Sequence, residues 1–306
     1  MQKNNFILEH YPDKLQAKIE RRDRQKRANT PNYINGNIFQ LVLDDLKLWR
    51  VGTLKVSFKG GDASLHQKIA NVANSWSDFG NLQFDFGYDP ESGEYRKWTT
   101  RDKSHIRVGF EYDGYWSLVG NDSVDEEIID PGDISLNLSG FDALLPSNWE
   151  GTVLHEFGHA IGFHHEHQTQ DIECDFDWPK LYDYLGGPPN YWPKSKVDHN
   201  LRQLRTGSYT YSAHDRHSIM HYSFPAWMFI TKEESRCFTD ENNTLSEEDK
   251  KMMSIAYPFA NEDVQKLDSY RMGNLEVLIE TKGTTESIHN LHKKHLEYYQ
   301  AQRTDM

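Results

Sequence analysis

Cysteine is scarce in this sequence, with two residues, Cys174 and Cys237, among 306. Two cysteines are too few for the disulfide framework that holds small secreted domains together. They leave two alternatives open, one bridge between them or two buried free thiols. The fold must therefore depend on a hydrophobic core, and the chain is long enough for one large domain or two small ones.

Long apolar runs and net positive charge are also missing. No stretch approaches the roughly 20 apolar residues that a membrane span needs, and no charged start is followed by an apolar signal core. The chain has 34 Lys and Arg against 47 Asp and Glu, a formal net charge of −13. Because binding to nucleic-acid phosphates needs clustered positive charge, we expect no nucleic-acid partner and no contact with a membrane.

Histidine, by contrast, is concentrated between His155 and His165, which read HEFGHAIGFHH. Residues four apart lie on the same face of a helix, so the imidazoles of His155 and His159 can converge on one metal ion. Glu156 lies beside them, in the position of a general base that touches a water held by the metal. Gly162 permits the left-handed backbone that ends a helix, and the reversal brings His165 to the metal as third ligand.

Three neutral nitrogens and one open position describe a catalytic zinc site, since structural zinc is normally closed by four protein ligands that usually include cysteines. The sequence therefore predicts one catalytic Zn²⁺ ion. The helix that carries the first two histidines has its own predicted start, a capping box in SNWE from Ser147 to Glu150. An apolar stripe should bury its other face, and consists of Val153, Phe157, Ala160 and Ile161.

A second fragment, SIMHY from Ser218 to Tyr222, completes a recognisable pattern. Together with HEFGHAIGFHHE, which ends at Glu166, it resembles the astacin family of metzincin peptidases. The resemblance implies that Met220 lies in a Met-turn beneath the zinc and that Tyr222 is an additional, displaceable zinc ligand. It also implies that Glu166 pairs with the new N-terminal ammonium after processing. The similarity covers about residues 48–258.

The resemblance implies an α/β metzincin fold, with a twisted five-stranded mixed sheet, two long helices above the cleft and a mostly irregular lower subdomain that carries the Met-turn. Apolar spacings of four, three and four predict a helix from Ser64 to Phe79. Further helices are expected at Trp192 to Leu204 and Leu245 to Pro258. Alternating or clustered apolar residues predict strands around Leu54–Phe58, Leu82–Phe86, Ile106–Phe110 and Ile134–Leu138.

The stretch GYWSLVG, from Gly114 to Gly120, resembles the astacin edge strand that lines the cleft. An edge strand has unpaired backbone groups, so a substrate peptide can hydrogen-bond to it whatever its side chains. The acidic loop that follows, Asp122 to Asp130, is interpreted as a solvated insertion. The residues expected to bind substrate are Trp116, Ser117, Leu118 and Val119.

Three segments are predicted: an N-terminal leader or propeptide-like segment at 1–45, a catalytic domain at 46–258 and a C-terminal helical extension at 259–306. The basic run from Lys14 to Arg27 is interpreted as a solvated helix. INGNI, from Ile34 to Ile38, resembles the astacin propeptide segment whose aspartate blocks the zinc. Asn37 stands in that place, and because an amide is a poor zinc ligand, no working inhibitory switch is expected there.

Five further histidines lie close to these motifs in the sequence and raise the question of a second metal site. No pair among them has a spacing specific to a metal site, so they are interpreted as surface or hydrogen-bonding residues. They are His164, His167, His214, His217 and His221.

The function implied by the resemblance is that of a zinc-dependent endopeptidase. Glu156 would take a proton from the zinc-activated water and return it to the leaving amine, while Tyr222 donates a hydrogen bond to the developing oxyanion. Two alternatives remain, an inactive peptide-binding protein with the same fold and a structural zinc module. The expected partners are protein or peptide substrates, and the expected state is a monomer.

The compartment is inferred from what the chain shares with the family and where it departs from it. Astacins are mostly secreted, and animal members have a cysteine where this chain has Tyr115. Sparse cysteines and the missing signal also suit a bacterial member. Secretion, or export by a route that needs no signal peptide, is therefore favoured over a cytoplasmic location.

Overall fold

The computed structural model describes residues 10–27, 43–44, 47–99, 103–169, 172–188, 190–203, 209–210, 214–280 and 285–304. The INGNI segment, and with it Asn37, lies outside these residues. The helices are α1 (Asp13–Arg27), α2 (Ala63–Ala73), α3 (Trp149–Ala160), α4 (Trp178–Gly186), α5 (Lys194–Leu201), α6 (Glu247–Ala256), α7 (Asn261–Glu280) and α8 (Glu286–Thr304). The strands are β1 (Leu43–Asp44), β2 (Thr53–Lys59), β3 (Gln83–Asp85), β4 (Ile106–Gly109), β5 (Tyr115–Ser117), β6 (Leu136–Leu138) and β7 (Tyr209–Thr210).

The larger of the two sheets in the described residues is mixed and has five strands, as the α/β prediction requires. Its strand order is β3-β2-β4-β6-β5, and β5 alone runs antiparallel to its neighbour. β5 is therefore an edge strand, as expected. The predicted strands are all present, and the helix predicted from Ser64 becomes α2 followed by a short 3-10 turn, Asn74–Asp78.

Helices α2 and α3 pack on one another beside the sheet. The indole Nε1 of Trp76, in the 3-10 turn after α2, donates to the Leu154 carbonyl of α3 at 2.9 Å. The apolar stripe predicted for α3 is buried in full and joins the same core as the sheet. Burial of this stripe fixes the rotation of α3, so its opposite face, with the histidines, points away from the core.

The capping box predicted at the start of α3 is wrong. Asn148, not Ser147, occupies the N-cap position, and its side chain makes no capping hydrogen bond. Its backbone, at φ −103° and ψ 24°, departs from the extended conformation of a capping residue. The box that does form belongs to α6, where Ser246 and Asp249 bond reciprocally.

The acidic loop and the basic helix α1 are solvated only in part, so both interpretations hold for exposed residues such as Arg24 and Glu126 but are wrong for buried ones such as Lys26 and Asp122. The two segments pair with each other: Lys26 Nζ lies 2.8 Å from Asp122 Oδ1, and Arg22 Nε lies 2.8 Å from Asp125 Oδ2. Lys47 Nζ contacts the other oxygen of Asp122 at 2.7 Å. A small apolar cluster lies beside these ion pairs and consists of Ile19, Leu118, Ile128 and Ile129.

The C-terminal extension is helical, as expected, and packs on the same region. Helices α7 and α8 contact each other, and Ser287 of α8 donates to Glu127 Oε1 at 2.6 Å while accepting a bond from Arg22. Each helix within the described ranges is too short or too polar to cross a bilayer.

Cys174 and Cys237 form a disulfide, so the first of the two alternatives for the cysteines holds. Their Cα atoms are 5.6 Å apart and the bridge spans 63 residues of sequence. Both lie in a hydrophobic cluster that is separate from the core of the five-stranded sheet. This cluster is built from irregular segments and the short helices α4 and α5. The bridge therefore crosslinks the half of the molecule that has little regular structure.

Asp122 is the carboxylate on which the docking of α1 depends. Burial alone raises its pKa, but the ammonium groups of Lys26 and Lys47 more than offset this, and the pKa falls to about 2. A carboxyl with a depressed pKa stabilises the fold above its unfolded pKa of about 4, and this stabilisation is lost as the pH falls toward the folded value. The ion-paired loop is therefore stable at neutral pH and fails in acid.

We predict that Asp122→Asn lowers the free energy of unfolding by about 3 kcal/mol at pH 7, because it removes the carboxylate that the two buried ammonium groups share and leaves Lys26 and Lys47 with longer contacts to Asp125 and Asp23, at 3.5 and 3.0 Å. Urea denaturation measures this, with Glu126→Gln as control, since Glu126 is an exposed acid of the same loop. The difference between Asp122→Asn and wild type should shrink as the pH is lowered from about 4 to about 2. Equal unfolding midpoints for the two variants at pH 7 would show that the pairing contributes nothing.

Candidate metal centre

Helix α3 and the turn after it bring the three predicted histidine ligands together. His159 Nε2 lies 3.2 Å from His155 Nε2 and 3.0 Å from His165 Nε2. These three side chains, called the histidine triad below, form one of the two groups in the described residues whose ligand atoms are close enough to share a metal ion. The four-residue spacing on the helix thus has the outcome that the sequence predicted.

Backbone carbonyls fix the orientation of two of the rings. His155 Nδ1 lies 2.7 Å from the Ile219 carbonyl, and His159 Nδ1 lies 2.7 Å from the Phe163 carbonyl. A carbonyl oxygen only accepts, so in the neutral rings Nδ1 carries the proton and Nε2 presents a lone pair. Such outer hydrogen bonds are the usual way in which proteins orient histidine ligands.

The donor set fits zinc. Two Nε2 lone pairs that face each other across 3.2 Å repel unless a cation lies between them. Around Zn²⁺, with bonds of about 2.0–2.1 Å and tetrahedral angles, neighbouring nitrogens are about 3.3 Å apart. The separations within the triad are close to that value, so the rings are already arranged as they would be around the ion.

Gly162 produces the predicted reversal of the chain. Its φ is +107°, and its N–H donates to the His159 carbonyl at 2.8 Å, where α3 ends. A Cβ at this position would lie 2.7 Å from Leu48 Cδ2, so space as well as backbone conformation requires glycine. Trp49 and Tyr257 then donate side-chain hydrogen bonds to the carbonyls of Ala160 and Ile161, at 2.7 and 2.6 Å. The carbonyls at the end of α3 therefore have hydrogen-bond partners that hold the end of the helix in place.

The Met-turn, Ser218 to Tyr222, lies against α3. Met220 is fully buried, and a Cβ on Gly158 of α3 would collide with its sulfur. The turn also supplies the Ile219 carbonyl that orients His155. The absence of a side chain at Gly158 thus lets the turn approach the helix closely enough to touch a ligand ring.

Asp249 anchors the Met-turn, and the sequence analysis missed it. Its carboxylate accepts hydrogen bonds from Ser218 Oγ at 2.6 Å, from Ile219 N at 2.8 Å and from Ser246 N at 2.8 Å. Burial raises its pKa, and these bonds counteract the rise only in part. The signal that points to it is the capping-box spacing of Ser246 and Asp249 within LSEEDKK.

The two predicted catalytic side chains adjoin the triad. Glu156 follows His155 directly and is 2% exposed. The Tyr222 ring lies 4.2 Å from the His165 ring and 5.6 Å from the His155 ring, centre to centre. A phenol ring therefore lies against two of the three imidazoles, and a buried carboxylate follows the first of them in the chain.

Glu166 bonds backbone groups on both sides of the third histidine and the Met-turn. It is buried, and its Oε1 accepts the Asp215 backbone N–H at 2.9 Å. Its own N–H donates to the Met220 carbonyl at 3.0 Å. Glu166 therefore connects the third histidine to the Met-turn while the N-terminal segment is still attached.

The predicted substrate strand is contacted by the N-terminal segment. The Tyr11 hydroxyl donates to the Ser117 carbonyl at 2.7 Å, and the Tyr11 ring lies 5.7 Å from the Trp116 ring. Ser117 pairs with Leu136 of β6, whereas the Leu118 N–H bonds the Ser135 carbonyl. Because hydrogen-bonded and non-hydrogen-bonded pairs alternate along an antiparallel ladder, the Ser117 carbonyl faces the open edge. Trp116, Ser117, Leu118 and Val119 are all buried.

Two of the five additional histidines also meet. His214 Nε2 and His221 Nε2 are 3.1 Å apart, and Cys237 belongs to the same group of close ligand atoms. Burial, together with the nearby His214, lowers the pKa of His221 to about 3. His167 is also buried, and its Nε2 contacts the Asn200 carbonyl, so His167 and His221 are hydrogen-bonding residues, the second of the two roles that the interpretation allowed, and neither lies at the surface.

Comparison with known proteins supports the resemblance seen in the motifs. No family model matches the chain. The solved structure of myroilysin is 30% identical, with a TM-score of 0.60, and the match covers 72% of this chain and 99% of that one. Zinc metalloproteinase nas-2 of Caenorhabditis elegans is 28% identical over 133 residues, 42% of this chain and 40% of that protein. Astacin-like metalloprotease toxin 5 of Loxosceles gaucho is 28% identical over 127 residues, 42% of this chain and 55% of that protein.

The chain thus spans about half, or less, of the length of these curated relatives, but nearly all of myroilysin. A mixed α/β fold, the two motifs and a histidine triad accompany this similarity in the chain. The chain belongs to the astacin family of zinc metallopeptidases.

Proposed function

We propose that this protein is a zinc-dependent endopeptidase that hydrolyses internal peptide bonds of protein substrates. The observation that carries the proposal is the convergence of three imidazole Nε2 atoms, with separations of 3.0 and 3.2 Å, beside Glu156 and Tyr222. Three nitrogen ligands leave a tetrahedral ion with one open position, which is the arrangement of catalytic rather than structural zinc.

His155, His159 and His165 would hold one zinc ion, with Tyr222 as a displaceable further ligand. The ion, when bound, supplies Lewis acidity, which lowers the pKa of water toward neutrality and polarises a carbonyl group. Met220, Gly162 and Glu166 would hold the ligands in place through the turn, the chain reversal and the bonds described above.

Glu156 would act as general base and then as general acid. Its carboxylate accepts a proton from the attacking water and later delivers it to the nitrogen of the leaving amine. Its position next to His155 on α3 supports this role, because a general base must reach a water held on the open side of the triad.

Tyr222 would stabilise the transition state. As the substrate carbonyl becomes tetrahedral, negative charge develops on its oxygen, and the phenolic O–H donates a hydrogen bond to it. The rings of His165 and His155 lie against the Tyr222 ring, and these contacts would limit the directions in which its hydroxyl can move.

The substrate backbone would pair with the edge strand β5, along Trp116, Ser117, Leu118 and Val119. The Ser117 carbonyl is directed to the open edge and would accept an N–H from a peptide laid alongside. Tyr11 occupies that acceptor, so the propeptide-like segment at 1–45 would compete with substrate while it remains attached to the catalytic domain at 46–258. The helical extension at 259–306 would support the docked segment through Ser287.

Protein or peptide substrates are the proposed partners, and a monomer is the proposed state. The disulfide between Cys174 and Cys237 supports a place outside the cytoplasm, because disulfides persist in oxidising compartments.

The general-base role predicts that Glu156→Gln lowers kcat/KM on an unstructured protein by about a hundredfold or more, because proton transfer contributes 10²–10⁴. Zinc content, measured by mass spectrometry, should stay at the wild-type value. Glu150→Gln is the matched control, since Glu150 is an exposed acid on the first turn of the same helix. Chelation should abolish cleavage by wild type, and equal cleavage by wild type and Glu156→Gln would end the proposal.

The role of Tyr222 predicts a different kinetic signature. Tyr222→Phe keeps the ring contacts but removes the hydroxyl, so kcat should fall by about a hundredfold while KM changes little. Zinc content should again remain unchanged. A variant with wild-type kcat would show that the phenol takes no part in the transition state.

The competition between Tyr11 and substrate predicts that Tyr11→Phe lowers KM about fivefold in the full chain, which corresponds to the loss of one neutral hydrogen bond of about 1 kcal/mol. The value of kcat should stay the same. Tyr88→Phe is the control, since Tyr88 is 55% exposed. An unchanged KM in an active Tyr11→Phe enzyme would contradict the competition without affecting the peptidase assignment.

A further inference from the structure

His214 and His221 form a second histidine pair outside the triad. Their Nε2 atoms are 3.1 Å apart, a separation within the range found in the triad. His221 is 4% exposed, and its Nδ1 lies 2.8 Å from the Tyr222 carbonyl. Since the carbonyl only accepts, Nδ1 carries the proton and the His221 Nε2 lone pair faces His214.

A third ligand lies close by in Cys237. Its Sγ and one ring nitrogen from each of the two histidines all lie within 4.8 Å of one another, and the residue is fully buried. Its disulfide partner, Cys174, does not belong to this group. The two cysteines are therefore not equivalent, because only one of them faces the pair.

We propose that His214, His221 and Cys237 bind a second zinc ion when the disulfide is reduced. In the oxidised protein Cys237 has no thiolate to offer, and the thiolate is the form that binds metals. Around zinc, bonds of about 2.0–2.1 Å to nitrogen and about 2.3 Å to sulfur set nitrogen and sulfur about 3.6 Å apart. Breaking the bridge releases Cys237 Sγ to rotate toward the pair and reach this distance.

The chemistry balances with a dithiol as reductant. The dithiol transfers two electrons and two protons to the Cys174–Cys237 bond and becomes a disulfide itself, leaving two thiols in the protein. Zinc then displaces the proton of Cys237 and binds the thiolate together with the two imidazoles. Cys237 Sγ can therefore either belong to the disulfide or bind zinc, but not both. Bound zinc opposes re-oxidation of the two thiols to the disulfide.

This second site is independent of the proposed peptidase activity. It needs neither the triad nor Glu156, and its ligands come from the segment before the Met-turn, from the turn itself and from the segment that follows it. Through the contact of His221 Nδ1 with the Tyr222 carbonyl it nevertheless adjoins the Met-turn. A metal on His221 Nε2 would keep the proton on Nδ1 and thereby preserve that hydrogen bond.

The asymmetry of the two cysteines provides the test. Cys174→Ser and Cys237→Ser remove the same disulfide, but Cys174→Ser alone leaves a thiol facing the histidine pair. We expect two zinc ions per chain in Cys174→Ser and one in Cys237→Ser, measured by mass spectrometry after dialysis without reductant. With Co²⁺ as the probe, Cys174→Ser should show thiolate-to-cobalt charge-transfer absorption, and Cys237→Ser should not.

Two further measurements test the second zinc site if either serine variant fails to fold. Wild type should bind a second zinc ion only after reduction, and His214→Ala should not, whereas the exposed neighbour His217→Ala should behave as wild type. Zinc should also raise the midpoint potential of the wild-type disulfide by about 30 mV for each tenfold excess over its dissociation constant. Equal zinc content in the two serine variants, or in reduced wild type and reduced His214→Ala, would overturn the proposal.

Discussion

The structure depends on the hydrogen bonds that two backbone carbonyls accept from the rings of His155 and His159. These bonds, each 2.7 Å long, hold the Nδ1 protons and turn the Nε2 lone pairs toward one point, where His165 joins them. Without a cation, that convergence costs free energy, because like dipoles face each other at short range. The carbonyls of Ile219 and Phe163 must therefore be held firmly, and much of the fold does this.

Each carbonyl has its own support. The Phe163 carbonyl follows Gly162, whose backbone conformation and lack of a Cβ let the chain turn under Leu48. The Ile219 carbonyl belongs to the Met-turn, which Asp249 anchors to the start of α6 through three hydrogen bonds. Both supports meet at α3, through the core on which the helix packs and through the close contact between Gly158 and the Met-turn. A change in either support would therefore move a ligand ring.

The features that could be predicted from the sequence are those that depend on nearby residues at a regular spacing. The spacing from His155 to His165 specifies the triad, and alternation of apolar residues specifies the strands, because both patterns follow from fixed helix and strand periods. What the sequence did not reveal depends on contacts far apart in the chain. The pairing of Lys26 with Asp122 spans 96 residues, the approach of Tyr11 to Ser117 spans 106, and neither leaves a periodic signal. His214 and His221 are only seven residues apart, but that spacing is common by chance and carries no signal. The missing cap at Asn148 depends on its backbone conformation, which residue types alone do not determine.

Three imidazoles of this chain should hold one zinc ion with a position left open. Anomalous diffraction at the zinc edge, from crystals of the chain purified with zinc, can locate that ion. We expect a peak about 2.0–2.1 Å from the Nε2 atoms of His155, His159 and His165. A fully zinc-loaded protein with no peak between these rings, or with a fourth protein ligand permanently closing the site, would contradict it.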